Sequence, residues 1–439
     1  MLTPKSFSPL SRRQTRRLQV LSTRWRRRII FVFGGILVGA AAVGIALAAD
    51  RAAELFQAVI SIEPYATFVI IPLGFAVSKW TMSRFFPTSG GSGIPQAIAA
   101  RQLHSQDARE RLVSLRSAVG KIVLLLLGLA CGASIGREGP TVQVGAAIMF
   151  AVGRLSPRRQ PGLILAGASA GVAAAFNTPL AGIVFGIEEL GRSFEARTSG
   201  TIIGAVIAAG LVSLFLQGDY SYFGTTHVRL VGVQGWLAVP LLGVAGGVLG
   251  GAFGRVVIAF SAGLPGRAGR AIRNYPIWFA GLCGLAVAVS GFLSDNTVFG
   301  TGYTQASALV QGHGGVPASF GALKLLATVA SSLSGIPGGI FAPSLAVGAG
   351  LGANVAALLP DAPAQAIVVL GMVAYFSAVV QAPITAFVIV SEMTNNHAMI
   401  MPLMLASLIG FAVSRLISPE GIYHALARNF IQTGALRKA

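Results

Sequence analysis

Nine apolar stretches of near-bilayer length recur along this chain, and almost no charge interrupts them. They are Ile29–Ala49, Thr67–Met82, Leu115–Ser134, Thr201–Leu216, Trp236–Ala262, Ile277–Leu293, Phe320–Leu333, Ile367–Val380 and Met399–Ile417, some of them short. Crossing a hydrocarbon core of ~30 Å takes roughly twenty helical residues, because lipid offers no partner to an unpaired backbone group. The pattern predicts an all-α polytopic membrane protein. Composition agrees: 54% of the 439 residues are apolar and 11% charged, too little charge to cover a soluble surface of that size. Fifty-six glycines would weaken soluble helices, whereas in lipid small residues let helices approach closely. Cys131 and Cys283 lie inside apolar runs and suggest no disulfide framework. His104, His227, His313, His397 and His424 are scattered without ligand spacing, so neither a metal nor a cofactor is expected.

The net charge of +19 raises the question of nucleic acid. Much of it sits at the amino end, where Arg12, Arg13, Arg16, Arg17, Arg24, Arg26, Arg27 and Arg28 precede the first apolar run with no acidic residue among them. A basic flank of this kind holds a terminus in the cytoplasm and can touch anionic lipid. Residues 1–28 are therefore expected to form a basic cytoplasmic segment, with no nucleic-acid partner. The run Ile29–Ala49 is too long for a signal-peptide core and is expected to stay as a helix.

Between the long runs lie apolar segments too short, or too rich in glycine and proline, to span cleanly: Gly90–Ala100, Gly136–Val152, Leu163–Glu189, Gly335–Leu359 and Pro383–Met393. Irregular backbone at membrane depth survives only where protein or a water-filled cavity covers it, so these segments should line the functional site. Several of them occur twice. Gly91-Ser92-Gly93-Ile94-Pro95-Gln96-Ala97 parallels Gly300-Thr301-Gly302-Tyr303-Thr304-Gln305-Ala306, and Lys121 parallels Lys324. Gly136-Arg137-Glu138-Gly139-Pro140 parallels Gly339-Ile340-Phe341-Ala342-Pro343, and Pro179 with Glu188 parallels Pro383 with Glu392. The offsets stay between 203 and 209 residues. A duplicated membrane domain with interrupted segments at matching positions marks a transporter whose site lies between its halves. The first half is expected over about residues 29–217 and the second over about 236–417.

Three interrupted segments are glycine-rich turns that feed a helix: Gly91–Pro95, Gly136–Pro140 and Gly338–Pro343. Proline suits the first helical turn, where its missing N–H costs nothing. Helix starts of this kind carry partial positive charge and unpaired donors, and they bind anions without burying a full cation. A cation pathway needs rings of carbonyls or carboxylates instead.

These three blocks resemble the signature motifs of the CLC chloride channels and transporters, and the resemblance runs from about Ile29 to Phe430. It implies an inverted repeat of tilted, partly discontinuous helices over residues 29–430, with a tail at 431–439 and both termini cytoplasmic. It also implies a homodimer with a separate anion pathway in each subunit. By motif, Ser92 and Gly93 face the anion from the first repeat, and the amides of Ile340 and Phe341 from the second. Tyr423, in Ile422-Tyr423-His424-Ala425-Leu426, resembles the family's carboxyl-terminal tyrosine that donates a second hydroxyl. Ser92 fits chloride, since nitrate-preferring relatives tend to carry proline there, and the fluoride-exporting branch has different pore motifs. Gln96 stands where many relatives have an acid. The chain ends soon after Tyr423, leaving no room for the paired nucleotide-binding modules of many eukaryotic relatives.

Glu138 has two readings: an anion-mimicking gate released by protonation, or a cap on its own helix. An ionisable residue inside lipid is costly and functional by default, which favours the gate. The neighbouring Arg137 is expected to support its loop through backbone hydrogen bonds or a carboxylate partner. The resemblance assigns Glu189 the internal proton-transfer position and Glu188 a supporting role, against a solvated helix end beside Arg192. Glu392 reads as structural. Together these residues predict a chloride/proton antiporter in a membrane, by default a bacterial inner membrane. The alternative within the fold is a passive chloride channel. An intramembrane hydrolase with Ser92 as nucleophile lacks a suitably placed histidine, and His313 lies in a polar loop.

Overall fold

The computed structural model describes the backbone of residues 12–155, 159–191, 196–218 and 220–436, and within these the side chains of 12–28, 155, 196–199 and 433–436 are not described. The arginine cluster at positions 12–28 and Arg192 thus lie outside the described side chains. The regular elements among the described residues are helices. The first half comprises α1 (Arg12–Ile62), α2 (Thr67–Phe85), α3 (Ile94–Gln102), α4 (Gln106–Val113), α5 (Leu115–Ala130), α6 (Glu138–Val152), α7 (Gln160–Phe176), α8 (Pro179–Phe185) and α9 (Ala196–Gln217). The second comprises α10 (Gly232–Ser261), α11 (Gly266–Asn274), α12 (Pro276–Leu293), α13 (Tyr303–Gln311), α14 (Phe320–Ser334), α15 (Phe341–Ala356), α16 (Ala364–Val380), α17 (Pro383–Thr394) and α18 (Ile400–Ile417). A last helix, α19 (Ile422–Leu436), follows them.

Seven stretches among the described residues are long and apolar enough to cross a membrane. Two expected spans depart from that role. The helices at Phe320–Ser334 and Ala364–Val380 are shorter, and α16 is buried along nearly its whole length. Packing against α10, α15 and α18 makes α16 an apolar centre strand of helix within protein, which a hydropathy pattern cannot tell from a lipid-facing one. The outer helices show the opposite pattern, with Val69, Leu73 and Val77 on α2 and Leu282, Leu285 and Val289 on α12 exposed. The first helix also runs well past the expected Ala49, to Ile62, because Phe56 and Ile60 continue its buried face.

The two halves repeat each other in detail. In each, a helix ends on a residue in the left-handed region, Asn177 at φ 56° and Gln381 at φ 59°, and a short proline-led helix follows. The side-chain amides of both turn residues donate to downstream carbonyls, Asn177 to Tyr220 and Gln381 to Ser418. The expected segment Leu163–Glu189 is thereby split into α7 and α8, with a π-helical turn at Gly186–Gly191. The α6–α7 crossing is made by Gly145 against Gly167, and the α15–α16 crossing by Gly348 against Gly371. A Cβ at Gly371 would fall within 2.7 Å of the Gly352 backbone and closer still to Gly348 O. Gly371→Ala is therefore expected to destabilise the protein by about 1–3 kcal/mol, the usual range for overpacking. Thermal unfolding in detergent measures this, with Gly204→Ala as the control, since a Cβ there meets nothing within 4 Å.

Candidate functional site

The site forms where the glycine loops of the two halves meet. Gly136 N–H donates to Gly339 O at 2.7 Å, and Gly339 N–H donates to Gly136 O at 2.7 Å. This mutual pair is an isolated antiparallel bridge, and it lies between equivalent residues of the two repeats. A third strand of the junction comes from Gly91, whose carbonyl accepts from Gly338 N–H at 3.2 Å. The turn before α3 needs Gly93 at φ 104°, a left-handed conformation, and its equivalent Gly302 adopts φ 77°. A Cβ at Gly93 would also meet Gly139 O at 2.6 Å, so the α3 and α6 starts touch through glycine.

Two fully buried lysines hold these turns from behind. Lys121 Nζ donates to Gly90 O at 3.2 Å and Gly91 O at 2.8 Å. Lys324 Nζ donates to Val298 O and Gly300 O, both at 2.8 Å.

Three helix starts converge there with no side-chain cap: α3, α6 and α15. The first intrahelical bond of α15 runs from Ser344 N–H to Ile340 O, which leaves the amides of Ile340, Phe341 and Ala342 without an intrahelical partner. Glu138 is fully buried between these starts. Its carboxylate lies over Gly136 and near Pro343, facing its own backbone N–H and that of Ala342. Neither of its oxygens makes a hydrogen bond of good geometry. The carboxylate therefore occupies the ground between two repeats' helix starts, where an anion is best stabilised.

Ser92 and Tyr423 join it from two further elements. Both are buried, their hydroxyls approach each other, and neither hydroxyl has a hydrogen-bond partner of full geometry in the protein. The Ser92 hydroxyl lies against the Gly139 backbone. Phe341 forms the apolar wall: its ring stacks on Phe176, with centroids 6.2 Å apart and planes within 5°, and meets Phe376, Phe185 and Tyr423 at 4.9, 5.5 and 5.9 Å. Glu138, Ser92, Gly93, Ile340, Phe341 and Tyr423 are thus brought together, with polar atoms bare and apolar surface around them.

Arg137 does what its sequence position suggested. Its Nη1 donates to Ala46 O at 2.8 Å and pairs with Asp50 Oδ1 at 2.6 Å, tying the loop to α1. Asp50 was not singled out by sequence, since 87 residues separate it from Arg137 and no local pattern links them. Both line an open vestibule of about 970 Å³ with Glu54, Tyr220, Tyr222 and Tyr303.

Glu189 is buried on the π-helical turn, with 2% of its side chain exposed. Tyr423 lies within electrostatic reach of both Glu189 and Glu138. Glu188 points elsewhere. Its carboxylate accepts from Ile384 N–H, Thr385 N–H and Thr385 Oγ1 at 3.0, 2.6 and 2.7 Å, at the start of α17. Glu392 does the same for α8, accepting from Leu180 N–H and Ala181 N–H at 3.1 and 2.7 Å. The two glutamates exchange caps between repeats, so the geometry of Glu188 matches that of Glu392.

Residues 73–415 match the sequence profile of the voltage gated chloride channel family, a span well over half the chain. This chain is a CLC protein. The family is one of membrane anion transport and not of enzymes, and the membrane-length apolar helices of the CLC protein accord with it. It is 30% identical over 430 residues to the H(+)/Cl(-) exchange transporter ClcA of Yersinia pestis bv. Antiqua (strain Angola), covering 89% of this chain and 87% of that one. It is 31% identical over 385 residues to the ClcA of Vibrio vulnificus (strain YJ016), covering 82% and 79%. Its fold superposes on a crystal structure of a slow cyanobacterial Cl-/H+ antiporter with a TM-score of 0.76 and 26% identity, over 94% of this chain and 99% of that one.

Proposed function

We propose that this CLC protein is a secondary active antiporter that exchanges chloride for protons, with Glu138 as an anion-mimicking gate and Glu189 as the internal proton relay. The observation that carries the reading is the placement of the Glu138 carboxylate between two uncapped helix starts, facing the amides of Glu138 and Ala342. Chloride offered the same surroundings gains the same field, and gains the hydroxyls of Ser92 and Tyr423 and the amides of Ile340 and Phe341 besides. The two anions compete for one place. Protonation removes the charge that holds the carboxylate there, so each opening takes up one proton. The ClcA relatives that share about three residues in ten with this chain are H(+)/Cl(-) exchange transporters, which supports chloride and protons as the pair exchanged.

The direction of the pathway follows from charge. Asp50 on α1 lines the vestibule, as does the segment after α12. The loop between α10 and α12 lies at the other end of α12 and exposes Arg267, Arg270 and Arg273 on α11. The arginine-rich start of the chain lies at the far end of α1 from Asp50. Basic loops stay in the cytoplasm, so the vestibule opens outward and both termini lie inside, in a bacterial inner membrane. The exposed apolar residues Ile203, Ile207, Leu211 and Phe215 on α9 suit a homodimer contact with the final spanning helices, each subunit keeping its own pathway.

The test is a reversal potential on protein reconstituted into liposomes under opposed chloride and pH gradients. An exchanger reverses at a potential displaced from the chloride equilibrium value and moves protons uphill when chloride alone drives it. A reversal pinned to the chloride value at every pH gradient identifies a passive channel instead.

A further inference from the structure

We infer that α11 is an interfacial helix whose arginine face holds the headgroups of anionic phospholipids. The inference concerns the membrane around the protein and stands apart from the exchange reading. α11 joins α10 to α12, and both of these are long and apolar enough to cross a bilayer. Nine helical residues reach about 14 Å, less than half of a hydrocarbon core, so the connection stays on one membrane surface.

The order of residues gives this helix two sides. Arg267, Arg270 and Arg273 follow one another at intervals of three, which places them within about 120° of the helix circumference. Ile272, half-buried, lies across from them. Gly269 is buried, and a Cβ there would collide with Leu264 O, so the helix lies directly on the turn that leads into it. That turn takes Gly263 to φ 93° and Gly266 to φ 78°, conformations that favour glycine. The packing leaves all three arginines exposed.

Their charge is not answered from within the chain. No aspartate or glutamate occurs between Asp219 and Asp295. Among the described residues, the guanidinium groups of Arg267 and Arg270 make neither an ion pair nor a hydrogen bond. Arg273 donates to Leu264 O at 3.2 Å, which pins the turn while the residue stays exposed. Three neighbouring guanidinium groups repel one another, and a phosphodiester relieves that by accepting paired N–H bonds from the planar forks. Residues three apart on a helix carry Cβ atoms about 5–6 Å apart, close enough for adjacent arginines to share one headgroup.

The level of the helix favours lipid over a soluble acidic partner. Tyr275 and Trp278, at the start of α12, are 63% and 77% exposed. Tyrosine and tryptophan concentrate in the headgroup region, where the ring meets acyl chains and the polar edge meets water. Tyr275 closes α11 and Trp278 follows within one turn, so α11 lies at the depth of the phosphate groups. Arginine at that depth runs its apolar stem along the interface and brings its charge to the phosphate.

The experiment uses Trp278 as a local reporter. In the full chain carrying Trp25→Phe, Trp80→Phe and Trp236→Phe, it is the remaining tryptophan. This protein is reconstituted into phosphatidylcholine vesicles containing a fixed minor fraction of brominated phosphatidylglycerol, or the same fraction of brominated phosphatidylcholine. The expected result is quenching of Trp278 about threefold or more stronger by the anionic lipid, with Arg267→Gln/Arg270→Gln bringing the two lipids to near equality. Equal quenching by the two lipids before the arginines are changed overturns the inference. A preference that survives in the double variant also overturns it, by placing the anionic lipid on another surface. Competition by millimolar glycerol phosphate in the buffer would assign the face to soluble phosphate compounds and overturn the lipid assignment. Should the tryptophan replacements prevent folding, native mass spectrometry compares the wild-type chain with Arg267→Gln/Arg270→Gln. The variant should retain about one phosphatidylglycerol fewer per chain, and equal retention overturns the inference.

Discussion

Glu138→Gln is expected to pass chloride freely while moving no protons. Glutamine has nearly the shape of a protonated glutamate, but it carries no charge to hold it between the starts of α6 and α15. The field of those helix ends, worth ~0.3–2 kcal/mol per charge at a terminus and acting here from more than one, then favours chloride alone. Chloride flux should be at least as high as in wild type and should lose most of its dependence on external pH. Proton flux driven by a chloride gradient should fall to the level of empty liposomes. Persistent proton pumping by this variant would remove the gate from the mechanism, because no second acid lies with its carboxylate between these helix starts among the described residues.

The second large effect is expected at Glu189, with the opposite division of consequences. Glu189→Gln should abolish proton transport and keep chloride transport, which should still respond to pH through the intact Glu138. The reasoning is positional. Glu189 sits on the π-helical turn within electrostatic reach of Tyr423, outside the group of helix starts proposed to hold the anion. Removing its charge deprives the proposed proton route of an acceptor without altering the donors proposed to hold chloride. Parallel flux measurements on one liposome preparation decide the matter, and wild-type coupling in Glu189→Gln would exclude the relay.

The parts of this site legible in sequence are those whose chemistry is local. A glycine forced to positive φ at Gly93, followed by proline at Pro95 in the first turn of α3, announces itself within five residues. The same holds for Gly136–Pro140 and Gly339–Pro343, and their repetition shows that they belong to one site. Arg137 could be read as needing a partner, but not which one, because Asp50 reaches it across a helix packing that has no period in sequence. His424 read as one of five scattered histidines for the same reason: the carbonyl it meets belongs to a residue 235 positions away. The two buried lysines were visible as a repeat, and their purpose was not, since backbone carbonyls leave no mark on composition. Hydropathy likewise could not distinguish α16, enclosed by protein, from a helix bathed in lipid.

The caps exchanged by Glu188 and Glu392 bear on how such a chain could have arisen. Each half leaves the start of a helix uncovered and each supplies the carboxylate that the other lacks. A half expressed alone would expose both the acid and the helix start to lipid, where an unpaired polar group costs several kcal/mol. A half-length precursor would have met that demand by pairing with a second copy of itself. Gene duplication followed by fusion would then have fixed the pair in one polypeptide, and only afterwards could the equivalent positions diverge, so that one copy of the loop holds glutamate at Glu138 and the other phenylalanine at Phe341.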